Sequence, residues 1–388
     1  MQNKKYLLVA RGSSHIRYFK KFAELSPLNV DVIKVNAKLF LPSHFSYLAL
    51  AEKADIERLL TPHLLKKARK HPRLASSFLW SPFKALSRFF IKLDIAKSAA
   101  LIDNAKADVV GVWNGQKQPS SSIAAAAKAL GKEVVAFENG LLPNSTTCDW
   151  CGVNCENSLP RNGEFYRQFS SAKSLPTELV PRAPIASKAK GIESSALPEK
   201  FIFVPFQVET DSQIISNSPW IKNMGQLYQH LASVIDNTND ANLHIVIKEH
   251  PSESVRHDSL HHRHPRILFA NQCNTQMLIE RSQAVLTINS TVGIESLLLG
   301  KPVMVLGSAC YGIDGVCAKV TNESELLNTL NNLAWCEGDD EIKRGFLNFM
   351  YEHYVIPTAW ANIDEKHVQA LTKRLLKDDS FTAFIEQA

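Results

Sequence analysis

Short apolar runs alternate with amphipathic stretches along most of this chain, and the alternation predicts a mixed α/β protein. KYLLVA (5–10) reads as a strand followed by the polar turn RGSSH, and VDVIKV (30–35) reads as a second strand. DVVGVW (108–113) and EVVAF (133–137) are further strands, with SSIAAAAKAL (121–130) between them as a helix ending at Gly131. The stretch from Ala51 to about Ala100 reads as helical, broken at Pro62, Pro72 and Pro82, because an interior proline removes a donor and clashes with the preceding turn. The plan then repeats. FIFVPF (201–206), LHIVIKEHP (243–251), AVLTI (284–288) and KPVMVLG (301–307) read as strands. The intervening helices are centred on WIKNMGQLYQHLASVID, NTQMLIERS and STVGIESLLLG, and ESELLNTLNNL follows as another helix. Apolar strands alternating with helices imply parallel sheets covered on both faces.

The fold class expected is therefore α/β and GT-B-like, with two Rossmann-type domains facing across a cleft. Residues 170–197 are rich in Ser, Lys, Ala and Pro and read as a linker. The division expected is an N-terminal acceptor-side domain over 1–197, a C-terminal nucleotide-sugar domain over 198–355, and helices over 356–388 that pack back on the first domain.

In open α/β sheets, ligands bind outside the carboxyl ends of the strands. Four polar segments fall there. Glu138 ends the strand EVVAF and opens the loop NGLLPNSTTCDWCGVNCENSLPR, which has no helical or alternating period and reads as a long functional loop. Gln207, Glu209, Asp211 and Ser212 follow FIFVPF. Lys248 and His250 follow LHIVI, with His250 held extended by Pro251. Asn289, Ser290 and Thr291 start a helix after AVLTI, and a cap with open N–H groups there suits a phosphate. Gly293 removes a side chain from that turn, and Glu295 one turn on can reach a ribose or face solvent. Lys248 with His250 can hold a carboxylate or phosphate. Asp211 and Glu138 form a carboxylate pair in which one attacks an anomeric carbon and the other manages a proton. Glu209 competes for the first role, or is simply exposed.

Composition narrows the picture. The chain has 388 residues, 45% hydrophobic and 21% charged, with a net charge of +6. No apolar run approaches the ~20 residues that span a bilayer, and the N-terminal apolar stretch reads as a strand rather than a signal peptide. Seven cysteines, an odd number, suggest reduced thiols and the cytoplasm. Cys148, Cys151 and Cys155 lack partners at zinc-finger spacing and read as loop thiols, and HDSLHHRH (257–264) reads as a solvated loop rather than a metal box. The positive charge concentrates in HLLKKARKHPRLASSFLWSPFKALSRFFIKLDIAKS (63–98), where it is interleaved with aromatic residues. That composition fits either a solvated helical pair or an anionic membrane surface, and no nucleic-acid-binding signature accompanies it.

Taken in order, ENGLLPNSTT…GVN…NSLPR, QVETDS, KEHP and NSTVGIESLLLGKPV resemble the bacterial capsular-polysaccharide-synthesis family, and within it the β-Kdo (3-deoxy-D-manno-octulosonic acid) glycosyltransferases. The matching stretch runs from about Trp113 to about Gly315. The resemblance implies a retaining transfer of Kdo from CMP-β-Kdo to a glycan or glycolipid acceptor. It implies Asp211 as nucleophile and Glu138 as acid/base, with His250 beside them. Lys248 and His250 would hold the phosphate or the Kdo carboxylate, and Ser290 and Thr291 the CMP phosphate. Gln207, Ser212, Asn289, Gly293 and Glu295 complete the expected nucleotide-sugar side. Asn139, Gly140, Asn154 and Arg161 are expected on the sugar or acceptor side. No metal or other cofactor is expected. The expected partners are CMP-Kdo, the acceptor, an anionic inner-membrane surface and a partner glycosyltransferase, with no nucleic acid. Two other readings stay open: a transferase or epimerase of the same fold using another sugar nucleotide, and a non-catalytic glycan-binding or export subunit.

Overall fold

The computed structural model describes residues 4–35, 41–171, 175–179, 192–253, 255 and 257–387. The chain builds one sheet, then a second, and finally returns to the first. The opening part carries β1 (Lys5–Ala10), α1 (Ser13–Leu25), β2 (Asn29–Lys34), α2 (Ile56–Lys70), α3 (Trp80–Asn104), β3 (Val109–Trp113), α4 (Ser120–Ala129), β4 (Glu133–Asn139) and β5 (Ser145–Asp149). The middle carries β6 (Phe201–Pro205), α5 (Ser212–Ser216), α6 (Met224–Asp236), β7 (His244–Lys248), β8 (Ile267–Phe269), α7 (Thr275–Arg281), β9 (Ala284–Thr287), α8 (Val292–Leu298), β10 (Val303–Val305), β11 (Ala318–Lys319), α9 (Glu323–Asn331) and α10 (Asp340–Phe349). The return carries β12 (Ile356–Pro357), α11 (Glu365–Leu376) and α12 (Ser380–Gln387).

Two compact units result. One comprises residues 1–140, 144–158 and 355–387, and the other residues 141–143 and 159–354. The boundary thus falls near residue 158 rather than 197. Of the linker expected over 170–197, residues 172–174 and 180–191 lie outside the described residues.

The sheet of the first unit runs β2-β1-β3-β4-β5-β12. Its first four strands are parallel, β5 runs antiparallel to β4, and β12 pairs antiparallel with β5. Side chains alternate faces along a strand. Accordingly, Tyr6, Leu8 and Ala10 join a cluster with α1 and α11, while Leu7 and Val9 join one with α2, α3 and α4. Both faces are covered, which is why these strands read as continuous apolar runs.

The second sheet runs β8-β7-β6-β9-β10-β11, and every pair is parallel. Counted from β6 as the first strand, this is the 3-2-1-4-5-6 order of the Rossmann fold, with the strand order reversing between β6 and β9. Phe201 and Phe203 face one cluster, and Ile202 and Val204 the other. Two Rossmann-type units of this kind make a GT-B-like fold.

Two expectations fail here for physical reasons. Pro62 does not break α2, which runs through it. The helix is started by Asp55, whose side chain accepts from Arg58 N at 3.0 Å, and it is held by Ile56 and Leu60 in the cluster of Ile91 and Ile95 on α3. Pro82 lies in the first turn of α3, where no N–H is needed. The loop after Glu138 is also not structureless. Ser145–Asp149 is a fully buried strand, and β4–β5 is a hairpin.

Candidate active site

In the first unit, Glu138 lies inside β4, one residue before its end, opposite Thr147 of β5. Its two carboxylate oxygens are held differently. Oε2 accepts from Asn114 Nδ2 at 2.7 Å, and Oε1 accepts from the backbone N–H of Asn139 at 3.0 Å. Asn114 reaches it from the turn after β3, in a left-handed conformation (φ 66°) followed by Gly115. The Asn139 side chain accepts from Trp360 Nε1 at 2.8 Å. Trp360 stands edge-on to Trp113 (5.2 Å, 71°), and Trp113 is stacked by His15 at 3.8 Å and 10°. Partial burial pushes His15 below its ordinary pKa, so it is neutral at pH 7. The acid therefore sits beside a half-buried aromatic cluster.

The hairpin turn explains Gly140. A Cβ there would stand 1.9 Å from Ser145 Oγ, and Gly140 N donates to Ser145 O at 3.0 Å. Gly140 is thus required by the tight chain reversal. Asn154, also left-handed (φ 58°), points its amide toward Gln116 Oε1 at 3.4 Å, and Gln116 donates to the Val153 carbonyl and to Glu156. The loop hangs on Asp149, a fully buried carboxylate. It accepts from the N–H groups of Cys151 (2.8 Å), Gly152 (3.2 Å) and Ser158 (2.9 Å) and from the Ser158 hydroxyl (2.8 Å). Cys148 is a core residue of β5, and burial pushes its thiol well above the ordinary value.

In the second unit, the polar groups gather where the strand order reverses. Gln207, just past β6, donates through Nε2 to Asn289 Oδ1 (2.9 Å), and its Oε1 accepts from Asn289 N (3.2 Å) and Thr287 Oγ1 (3.3 Å). Asn289 in turn donates to the carbonyls of Gln213 and Asn217, both at 3.0 Å. Gln207 and Asn289 are buried, so they tie the loops of β6 and β9 together. Asp211 is the N-cap of α5. Its Oδ1 accepts from Gln213 N at 3.0 Å and lies 3.3 Å from the Ser212 hydroxyl, which donates to it. Glu209 is not simply exposed: Oε1 accepts from Met224 N at 2.9 Å at the start of α6, and its own N–H donates to Glu253.

Lys248 ends β7 and donates to the Cys273 carbonyl, and desolvation lowers its pKa. Its ammonium keeps two further donors for a ligand. His250 Nδ1 accepts from Ser252 N at 3.1 Å, so its ring is fixed in the turn Pro251 directs. At the start of α8, Ser290 N donates to Thr287 Oγ1, Val292 N to Ser290 Oγ and Gly293 N to Ser290 O. The turn therefore spends on itself several of the N–H groups expected to be open. Gly293 also has a different reason from the expected one. A Cβ there would meet the Tyr311 hydroxyl at 2.3 Å, and buried Tyr311 donates to the Ser290 carbonyl. Glu295 is half-buried in the first turn of α8, and Arg161 is exposed, donating to the Leu159 carbonyl at 2.6 Å.

Sequence reading did not single out Trp113, Asn114, His15, Trp360, Asp149 or Tyr311. The Asn-Gly pair immediately after DVVGVW was the one visible signal, since it marks a left-handed turn at a strand end.

Comparison with known proteins adds four findings. The profile of the family described as capsule polysaccharide biosynthesis protein matches residues 182–332. The chain is 35% identical over 332 residues to Protein FixF of Sinorhizobium fredii, covering 81% of this chain and 79% of that one. It is 25% identical over 254 residues to the capsule polysaccharide export protein KpsS of Escherichia coli, covering 49% of this chain and 64% of that one. Among solved structures, the β-Kdo 2,7 transferase unit of Thermosulfurimonas dismutans KpsC is similar at 16% identity and a TM-score of 0.44, covering 82% of this chain and 84% of that one.

Proposed function

Since this chain belongs to the capsule polysaccharide biosynthesis family, we propose that it is a retaining glycosyltransferase that moves Kdo from CMP-β-Kdo to a glycan or glycolipid acceptor. The observation that carries this reading is the position of Asp211. Its carboxylate caps the helix that follows β6, the strand at which the sheet order reverses, and Rossmann sheets bind their ligands at such a reversal. Hydrogen bonds from Gln213 N and Ser212 fix one oxygen, so the group is pre-oriented.

The reaction takes two displacements. An Asp211 oxygen attacks the anomeric carbon of Kdo, and the bond from that carbon to the CMP phosphate breaks, releasing CMP. The acceptor hydroxyl then attacks the same carbon, the ester to Asp211 breaks, and the hydroxyl proton passes to Glu138. Two inversions give net retention. Lys248, His250 and the hydroxyl groups of Ser290 and Thr291, rather than the N–H groups their turn uses itself, are assigned to the phosphate and the Kdo carboxylate. Charge on the leaving group is met by fixed donors, and no metal is given a role. Gln207 and Asn289 act by holding the two loops in register. Asn139, Asn154 and Arg161 are assigned to the acceptor side, with Trp360 and Trp113 as the aromatic wall beside Glu138. The working place is the cytoplasmic face of the inner membrane, beside a partner transferase that extends or starts the glycan.

The two carboxylates differ in kind when removed. With CMP-Kdo and a panel of glycan acceptors, Asp211→Asn abolishes transfer, because an amide cannot form the glycosyl ester. Glu138→Gln still permits attack on the donor and accumulates a Kdo adduct on Asp211, seen as a mass increase of the intact protein. Near-normal transfer by Asp211→Asn, or an adduct on another residue, sinks the mechanism.

A further inference from the structure

Helix α3 is apolar on two sides. At 100° per residue, Ile91, Ile95 and Ile102 point into the core of the first unit. Leu86, Phe89 and Phe90 recur at three- and four-residue spacing on the other side and are 52%, 54% and 54% exposed. Phe78, just before the helix, is 87% exposed. A helix apolar all round is normally buried, and a contiguous exposed apolar stripe marks a contact surface.

Charge identifies what covers it. Residues 64–92 carry eight Lys and Arg and no Asp or Glu, more than the whole net charge of the chain. Arg88 pairs with Glu57, and Lys92 with Glu52 at 2.7 Å. Lys70, Arg73 and Lys84 are exposed. A protein interface buries aromatic groups but is depleted of charge at its core. A nucleic acid would leave the Leu and Phe stripe unmatched. The surface of an anionic bilayer takes both, aromatic side chains at the headgroup–acyl boundary and cations among the headgroups. Among the described residues no helix is long and apolar enough to cross a membrane, so the geometry is that of a helix lying on the surface.

We propose that the outer face of α3, with Phe78 and the basic residues of 64–92, is a docking surface for an anionic lipid bilayer. The inference stands on this face alone and does not depend on the donor sugar.

The test uses the full chain and two variants, one with Leu86, Phe89 and Phe90 changed to Ser, the other with Lys70, Arg73 and Lys84 changed to Gln. The second set is exposed and leaves the core intact. Sedimentation is compared for vesicles of phosphatidylcholine alone and with about one third phosphatidylglycerol. The protein is expected to bind only the anionic vesicles. The Gln variant should lose about a hundredfold in affinity, since each basic residue at the surface contributes roughly fivefold. The Ser variant should lose binding as well, with unchanged circular dichroism and unchanged transfer to a soluble acceptor. Equal binding to both vesicle types, no binding to either, or binding untouched by the Gln variant overturns the proposal. So does a concentration-dependent dimer in light scattering that the Ser variant abolishes, because the face would then be a self-contact.

Discussion

Asp149 shows how one buried acid can organise a whole loop. Its carboxylate accepts four hydrogen bonds from residues 151, 152 and 158, and it is fully buried. Removing the acceptor leaves donors unsatisfied, at roughly 1–3 kcal/mol each, although such costs do not add. Asp149→Ala is therefore expected to lose about 3 kcal/mol of stability, read as a lower urea midpoint, and to expose 150–158 to proteolysis. An unchanged midpoint with an intact loop would show that the carboxylate is dispensable. Sequence pattern could not have found this residue, because a buried acid and a solvated one look alike until their partners are in place. Gly293 teaches a related lesson. A glycine at a helix start is visible in the sequence, but its reason, the Tyr311 ring packed against it, comes from eighteen residues further on.

At the scale of elements, the strands and most helices were legible because apolar runs of four to six residues between turn signals have few other solutions. The hairpin partner β5 was not, since STTCD is polar by composition and is buried only because its groups are paired. Helix α11 was expected as part of the C-terminal helices that pack back on the first domain, but which strands it covers was not legible. His367 on that helix is fully buried, and its burial predicts a pH dependence of stability. Its Nδ1 lies 2.9 Å from the Pro357 carbonyl and must donate, so in the neutral ring Nε2 accepts from the Tyr18 hydroxyl of α1, also at 2.9 Å. Burial holds its pKa below the ordinary value, and it is a neutral tautomer at pH 7. The unfolded chain takes up this proton as pH falls below about 6.5, while the native state resists it. Stability is thus fully present above that pH and is lost as pH drops toward the folded value. His15 and His63, also lowered by desolvation, act in the same direction. Urea unfolding between about pH 5 and 7 should show stability rising with pH, with a smaller slope in His367→Gln. An identical slope in the variant would assign the effect to other groups.

Across the whole molecule, the first unit is completed by its last thirty-odd residues, after the chain has built the second unit. Strand β12 pairs with β5, and α11 puts Val368, Leu371 and Leu375 into the cluster of Tyr6, Leu8 and Phe137. Tyr6 donates to the Leu375 carbonyl at 3.0 Å, Trp150 to the Arg374 carbonyl at 3.1 Å, and buried Arg374 to the Cys148 carbonyl at 2.8 Å. The C-terminal segment therefore buttresses the same hairpin that carries Glu138. Sequence distance would make Leu371 irrelevant to β1 and β5, whereas packing makes it central to them. Leu371→Ala removes a fully buried side chain and is expected to cost about 2–5 kcal/mol. The loss should fall on one unit. Hydrogen exchange should quicken at β1, β4 and β5 while the amides of β6, β7 and β9 keep their protection, because those strands draw on separate clusters. Under the proposed function, transfer activity should fall with the first unit, through Glu138, while the nucleotide binding proposed for the second unit persists. Uniform loss of protection across both sheets would mean that the two units unfold as one, and that the return of the chain stabilises the whole molecule rather than its first half.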